Sequence, residues 1–99
     1  MGKLDVEKLK NLKYGEKVYS FRSGNARGLR FVGLMPGCKN YLIFSDGEHL
    51  EHLYINPKDN EFHGNWYRGE YDSKFIGDLR IKYFKDKIES TKRIYFENN

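Results

Sequence analysis

Three arginines lie close together in one stretch of the sequence that also contains two glycines. They are Arg22, Arg27 and Arg30, and the glycines are Gly24 and Gly28. A guanidinium group binds phosphate through a fork of two hydrogen bonds, and glycine lets the backbone approach a ligand closely. Apolar runs precede and follow this stretch, which predicts a flexible loop between two strands. The sequence therefore predicts a phosphate-binding loop, and nucleic acid, either DNA or RNA, is the first partner that it indicates.

A second set of basic residues lies near the C-terminus and consists of Arg80, Lys82, Lys85 and Lys87. We expect this set to add a second basic stripe to the predicted nucleic-acid interface. Exposed aromatic rings would complete such an interface, because bases stack on them. The candidate rings are Tyr19, Phe21, Phe31, Tyr41, Trp66 and Tyr67.

A protein partner is the alternative. Residues 45–72 contain two basic and seven acidic residues, whereas residues 1–44 contain nine basic and three acidic ones. Such segregation of charge steers charged partners. Under this hypothesis the chain is an inhibitor or adaptor of the kind found in phages and mobile elements. Its many Lys, Asn, Ile, Tyr and Phe residues have AT-rich codons, which indicates such an origin. Its acidic and aromatic binding residues would be Glu48, Glu51, Trp66, Tyr67 and Glu70.

Enzymatic chemistry finds little support in the sequence. Cys38 has no histidine partner at a spacing that would activate a thiol. His49 and His52 would share a face and chelate a metal on a helix, but would point to opposite faces on a strand. No phosphate-binding glycine motif and no serine nucleophile motif is present. We therefore predict a non-enzymatic protein with no catalytic residue, no metal site and no cofactor.

Length and composition indicate one small, mainly β domain. The chain has 99 residues and a net charge of +4, and its 15 Tyr and Phe residues contrast with a single alanine, Ala26. Aromatic residues favour strands and alanine favours helices. A single cysteine excludes an internal disulfide and suits the reducing cytoplasm, where we expect the protein to be located. No apolar run approaches the ~20 residues that span a bilayer, so no membrane association is predicted.

The order of elements predicts a single domain over residues 1–99. We expect an N-terminal helix within 1–13 with Asp5 as its N-cap, a strand meander over 14–55 and aromatic-rich strands over 56–99. Within the meander, we expect residues 17–21 to form a strand because they include β-branched and aromatic residues, and residues 40–44 to form the central strand because both of its faces are apolar. Residues 92–96 are expected to form the final strand. The layout of 14–55 resembles the opening of an SH3-like barrel, with a long first loop followed by tight turns. The prediction is therefore an SH3-like barrel or a bent antiparallel meander, with one short N-terminal helix and strands at the C-terminus.

Two segments have competing interpretations. Residues 48–55 form a strand if Asp46-Gly47 is a hairpin turn, or a helix if Ser45 and Glu48 form a capping box. Residues 74–89 would form either a strand, from the alternation around Ile81, or a helix. We prefer the strand in both cases, and in the second because Gly77 would weaken the first turns of a helix.

Overall fold

Five antiparallel strands form one open sheet in this computed structural model, which describes residues 2–70 and 72–94. The strands lie in the order β4-β3-β2-β1-β5, so β2 is central rather than β3. The mainly β class is confirmed, but the sheet is not closed into a barrel, so the SH3-like prediction is not confirmed. The elements are α1 (Val6–Lys10), β1 (Lys17–Arg22), β2 (Asn25–Met35), β3 (Cys38–Ser45), β4 (Leu50–Tyr54), β5 (Asn65–Arg68) and α2 (Ser73–Lys92).

The segment predicted as a long basic loop is a tight hairpin, so this prediction is wrong. Only Ser23 and Gly24 connect β1 to β2, and both have positive φ, 52° and 84°. Primed two-residue turns require such angles and match the twist of the paired strands. Arg27 and Arg30 consequently belong to β2, where they pair with Ser20 and Lys17 of β1.

The inner face of the sheet contains the larger core, and α1 covers it. Asp5 caps α1 by accepting a hydrogen bond from the Lys8 backbone N–H at 2.9 Å, as the sequence predicts. Leu9 is the buried residue of this short helix. The buried members of this core are Leu4, Leu9, Leu12, Val18, Leu29, Phe31, Leu42, Phe44, Leu53, Ile55 and Trp66.

The outer face of the sheet is covered in part by α2, and the predicted C-terminal strands are wrong over residues 73–92. Asp72 caps α2 by accepting hydrogen bonds from the backbone N–H groups of Lys74 and Phe75. Ile76 is fully buried in a second core with Tyr19, Phe21 and Tyr67. Burial and capping outweigh the cost of ~1 kcal/mol that Gly77 brings to the helix. Of the residues 92–96 that were predicted to form a strand, Lys92 is the last residue of α2. Residues 95–96 lie outside the described residues.

The connection between β3 and β4 decides the ambiguity at 48–55 in favour of a strand. Asp46 Oδ1 accepts hydrogen bonds from the backbone N–H groups of Glu48 and His49, at 2.9 and 2.7 Å. This local turn brings Leu50 opposite Ser45 and starts the β3–β4 ladder.

At the other edge of the sheet, the Leu4 N–H donates to the Trp66 carbonyl, so the N-terminal residues cover β5.

Neither helix in the described part of the chain is sufficiently long and apolar to cross a membrane.

Candidate nucleic-acid interface

The part of the outer face formed by β2, β3 and β4 lies beyond the core that α2 shares with β1 and β5. Along β3, Leu42 and Phe44 point into the inner core, so Tyr41 and Ile43 point outward. Their cross-strand partners in β4 are Tyr54 and His52. We call this surface the open face and define it by Arg30, Tyr41, Ile43, His52 and Tyr54.

Three rings form a cluster on the open face. The ring centroids of Tyr41 and Tyr54 lie 4.7 Å apart, and those of Tyr41 and His52 lie 5.6 Å apart. Tyr54 is 41% exposed and His52 is also exposed, whereas Tyr41 is half-buried between them. Tyr41 and Tyr54 are directly opposed on neighbouring strands and His52 is a diagonal neighbour of Tyr41, and the same geometry leaves ring surface available to a planar ligand.

Basic side chains border the ring cluster. Arg30 projects from the outer side of β2, opposite Ser45, and its Nη1 donates to the Gly15 carbonyl oxygen at 2.9 Å. Lys39 precedes Tyr41 by two residues in β3 and is exposed. Neither residue forms an ion pair within residues 2–70 and 72–94, although, after the hydrogen bond from Lys17, the charge of Arg30 also contributes to lowering the pKa of the Glu70 carboxyl.

A cleft of about 740 Å³ adjoins the open face at Arg30. Tyr14 lies on its rim and is 84% exposed, and Val32 and Gly28 line it on the β2 side. Lys17 and Glu70 form an ion pair there, and the hydrogen bond from Lys17 lowers the pKa of the Glu70 carboxyl. The cleft offers a further aromatic ring and an apolar floor beside the guanidinium of Arg30.

Arg27, which the sequence places in the predicted phosphate-binding loop, is already paired with the acidic segment. Its Nη1 donates to Glu51 Oε2 at 2.5 Å and its Nη2 donates to Asp46 Oδ2 at 2.6 Å. The hydrogen bond to Asp46 raises the pKa of the Arg27 guanidinium. The same bond, with those from the backbone N–H groups of His49 and Glu48, holds the pKa of the Asp46 carboxyl well below its usual value.

The three arginines of the predicted loop therefore do not form one surface. Arg27 shares the inner-facing side of β2 with Leu29, whereas Arg30 points outward. Arg22 is exposed at the end of β1 and lines a second cleft together with His52 and Tyr54. Arg30 lies on the outer side of β2 opposite Ser45, which is four residues from Tyr41 along β3.

The second basic set, predicted as a stripe, is divided by the helical geometry of α2. Successive residues of a helix are rotated by about 100°, so Arg80 and Lys87 lie on one side of α2, and Lys82 and Lys85 lie on the opposite side. Arg80 also donates from Nε to the Gly24 carbonyl oxygen at 2.8 Å, which joins α2 to the β1–β2 turn. These residues do not extend the open face.

The residues of the predicted acidic and aromatic surface also lie apart. Trp66 and Tyr67 are 4% and 6% exposed and belong to the inner and outer cores respectively, so neither ring is available to a partner. Glu51 is paired with Arg27 and Glu70 with Lys17. Glu48 is exposed in the β3–β4 connection.

Sequence reasoning included Tyr41 among its stacking candidates but missed Tyr54, His52, Lys39 and Tyr14. The signal for two of them was present, since residues 52 and 54 share a face once 48–55 is taken as a strand. In the described residues, no group of three or more His, Cys, Asp or Glu side chains is arranged to hold a metal ion.

Comparison with known proteins gave no match to a protein-family model, to a curated protein or to a solved structure.

Proposed function

We propose that this chain binds single-stranded nucleic acid on the open face. The observation that carries the proposal is the cluster of Tyr41, His52 and Tyr54 on a sheet surface that α2 leaves uncovered. Stacking of a base on an exposed aromatic side chain contributes ~1–3 kcal/mol and tolerates different bases. The sheet presents its rings side by side, which suits unpaired bases better than the groove of a duplex.

The charges around the ring cluster support the same proposal. Lys39 lies two residues before Tyr41 in β3, Arg30 lies on the β2 side of the open face, and the net charge of the chain is +4. Cations at these positions bind backbone phosphates while the rings stack on bases, as proteins that bind single strands usually do. We expect modest sequence preference and an affinity that falls as the salt concentration rises.

Other features of the sequence and the fold support proposals about the chemical role, location, fold relation and origin of the chain. A non-enzymatic role is supported by the absence from the sequence of a recognisable nucleophile motif, and a cytoplasmic location by its single cysteine, Cys38. The pairing of β5 with β1 after a four-strand meander supports a relation in layout to SH3-like barrels. The AT-rich codon usage implied by the composition supports an origin in a phage or mobile element.

The test is binding of fluorescently labelled oligo(dT) and oligo(rU), followed by fluorescence anisotropy over a salt series. Tyr54→Ala should weaken binding by about fivefold to 100-fold, because one stacking contact is lost. Leu34→Ala is the matched control, since Leu34 is also half exposed but lies outside the open face. The absence of binding, or equal affinities for Tyr54→Ala and the unmodified chain, would contradict the proposal.

A charge-reversal pair in the same assay compares the cations on the two sides of the ring cluster. Arg30→Glu should weaken binding and reduce its salt dependence, because Arg30 carries the positive charge on the β2 side of the open face. Arg22→Glu brings the same change of charge in the cleft that Arg22 shares with His52 and Tyr54. We expect the larger loss for Arg30→Glu, and a larger loss for Arg22→Glu would move the phosphate-binding site to that cleft.

A further inference from the structure

The later turns of α2 expose three apolar side chains, one of which, Phe84, also lies against Gly24 of the β1–β2 turn. Ile81, Phe84 and Ile88 are 69%, 52% and 55% exposed. They form what we call the apolar stripe, which is separate from the side of α2 that carries Ile76 and Tyr83 into the outer core. Exposed apolar side chains at neighbouring positions mark surfaces that bind a partner.

The spacing of the apolar stripe suits packing against another helix. Ile81, Phe84 and Ile88 are separated by three and four residues, the spacing of the a and d positions of a heptad. They span about 60° of the helix circumference, which is narrower than the ~100° or more of a helix face that contacts a broad surface. This width suits contact with a single helix. Ile76 is the buried residue that α2 contributes, so the later turns of the helix present this stripe beyond the core.

Basic residues flank the apolar stripe on both sides. With Ile81 at position a, Lys85 and Lys92 occupy e positions, and Arg80 and Lys87 occupy g positions. These positions border the seam of a helix pair and set the choice of partner through their charge. Asp78 occupies the e position one turn before Lys85, whereas the other acidic residues near the stripe, Asp86 and Glu89, lie away from it.

This charge pattern disfavours a second copy of the chain as the occupant. Parallel pairing would place Arg80 opposite Lys85 of the other copy and Lys87 opposite Lys92. Antiparallel pairing would set g positions together with like charges, and at the e positions it would bring Lys85 against Lys85, although Asp78 of one copy would lie opposite Lys92 of the other. A helix of another protein that carries carboxylates beside its own apolar seam would form ion pairs with the basic residues on both sides of the stripe.

We propose that the apolar stripe of α2 docks against an amphipathic helix of a partner protein, whose apolar seam is flanked by Asp and Glu residues. This interaction is independent of the open face, which lies on β2, β3 and β4. It would allow the chain to join a nucleic acid and a protein at two separate surfaces.

The test uses the full chain and two labelled synthetic peptides, each about three heptads long with Leu at a and d. One peptide has Glu at e and g, and the other has Lys there. We expect the Glu peptide to bind in a fluorescence anisotropy titration, with an affinity that falls as salt screens the ion pairs. The Lys peptide should bind at least about tenfold more weakly, because its flanks repel those of α2.

Two variants locate the binding on the stripe. Ile81→Ser and Ile88→Ser should each weaken binding of the Glu peptide by roughly tenfold, since each removes an apolar anchor. Both side chains are exposed, so the fold should tolerate the changes. Leu34→Ser is the matched control, because Leu34 is an equally exposed apolar residue on β2, and its affinity should match that of the unmodified chain.

Several results would overturn the proposal. They are failure of the Glu peptide to bind, equal affinities for the two peptides, and binding that Ile81→Ser and Ile88→Ser leave unchanged. Sedimentation velocity that shows dimers abolished by Ile88→Ser would assign the stripe to a second copy. If the Glu peptide does not bind but vesicles containing phosphatidylserine bind through Ile81 and Ile88, the stripe is assigned to a lipid surface. If oligo(dT) binds in that way instead, the stripe is assigned to nucleic acid.

Discussion

At the scale of single residues, the main feature is the pairing of Arg27 with Asp46 and Glu51. The antiparallel register of β2, β3 and β4 brings these three side chains together, although they are 19 and 24 residues apart in the chain. The arrangement neutralises the arginine that the sequence suggested most directly for phosphate. It also connects the β3–β4 turn to the central strand, so it is a structural contact rather than a ligand site.

The charge of Asp46 should make stability depend on pH. Its folded-state pKa lies below the value of ~3.9 for an unfolded aspartate, so its ionised form stabilises the fold above about pH 4 and this contribution is lost as the pH falls further. Asp46→Asn keeps an oxygen for the two backbone N–H groups and removes the charge. We expect the variant to melt at a lower temperature than the unmodified chain at pH 7, and the difference to shrink below about pH 4.

Thermal melts followed by circular dichroism between pH 7 and pH 2 provide the measurement. Glu48→Gln is the control, because the Glu48 carboxylate forms no ion pair in the described part of the chain, and its melting curves should follow those of the unmodified protein. A melting difference for Asp46→Asn that stays constant down to pH 2 would show that the charge is not responsible.

At the scale of elements, the contact between the β1–β2 turn and α2 determines where the helix lies. Gly24 is buried at the turn and faces the rings of Phe84 and Tyr83, and its carbonyl oxygen accepts the hydrogen bond from Arg80. A hairpin that a sequence pattern presents as a mobile loop is thus held by a helix more than fifty residues further along the chain.

Gly24→Ala should destabilise the protein by about 1–3 kcal/mol. A side chain at φ +84° is strained, and its Cβ would lie 3.0 Å from Phe84 Cζ. Gly28→Ala is the matched control in β2, where an added Cβ meets no atom within 4 Å, and it should change stability by less than about 0.5 kcal/mol. Urea unfolding of the two variants measures the difference, and equal midpoints would show that the turn is not tightly held.

At the scale of the whole molecule, two cores on opposite faces of one sheet hold the chain together. The inner core is the larger and includes α1, and the outer core attaches α2 through Ile76 and its neighbours. Because α2 covers the outer face at β1, β5 and the start of β2, the same packing that positions the helix leaves the open face exposed. Both proposed surfaces are therefore consequences of how far α2 reaches across the sheet.

Ile76→Ala should cost about 2–5 kcal/mol, the usual effect of deleting a fully buried side chain. The matched control is Ile88→Ala in the same helix, where the side chain is 55% exposed, and we expect a change of less than about 0.5 kcal/mol. Denaturant unfolding monitored by far-ultraviolet circular dichroism gives both values. Similar losses for the two variants would contradict the assignment of Ile76 as the anchor of α2.

The sequence by itself determined the features that depend on local chemistry. Abundant aromatic residues and scarce alanine predicted a mainly β protein, and Asp5 predicted the cap of α1. The β-branched and aromatic residues of 17–21 and the apolar run 40–44 predicted strands that the structure contains. Each of these follows from the preferences of neighbouring residues, which the chain carries without reference to distant segments.

The tertiary structure alone decided the rest. Residues 73–92 became helical because burying Ile76 outweighs the local cost of Gly77, a gain that exists only once the sheet is in place. Strand register paired Arg27 with the acidic segment, and the reach of α2 buried Tyr67 while leaving Tyr54 exposed. Exposure and ion pairing depend on contacts between residues far apart in sequence, so no pattern of neighbouring residues predicts them.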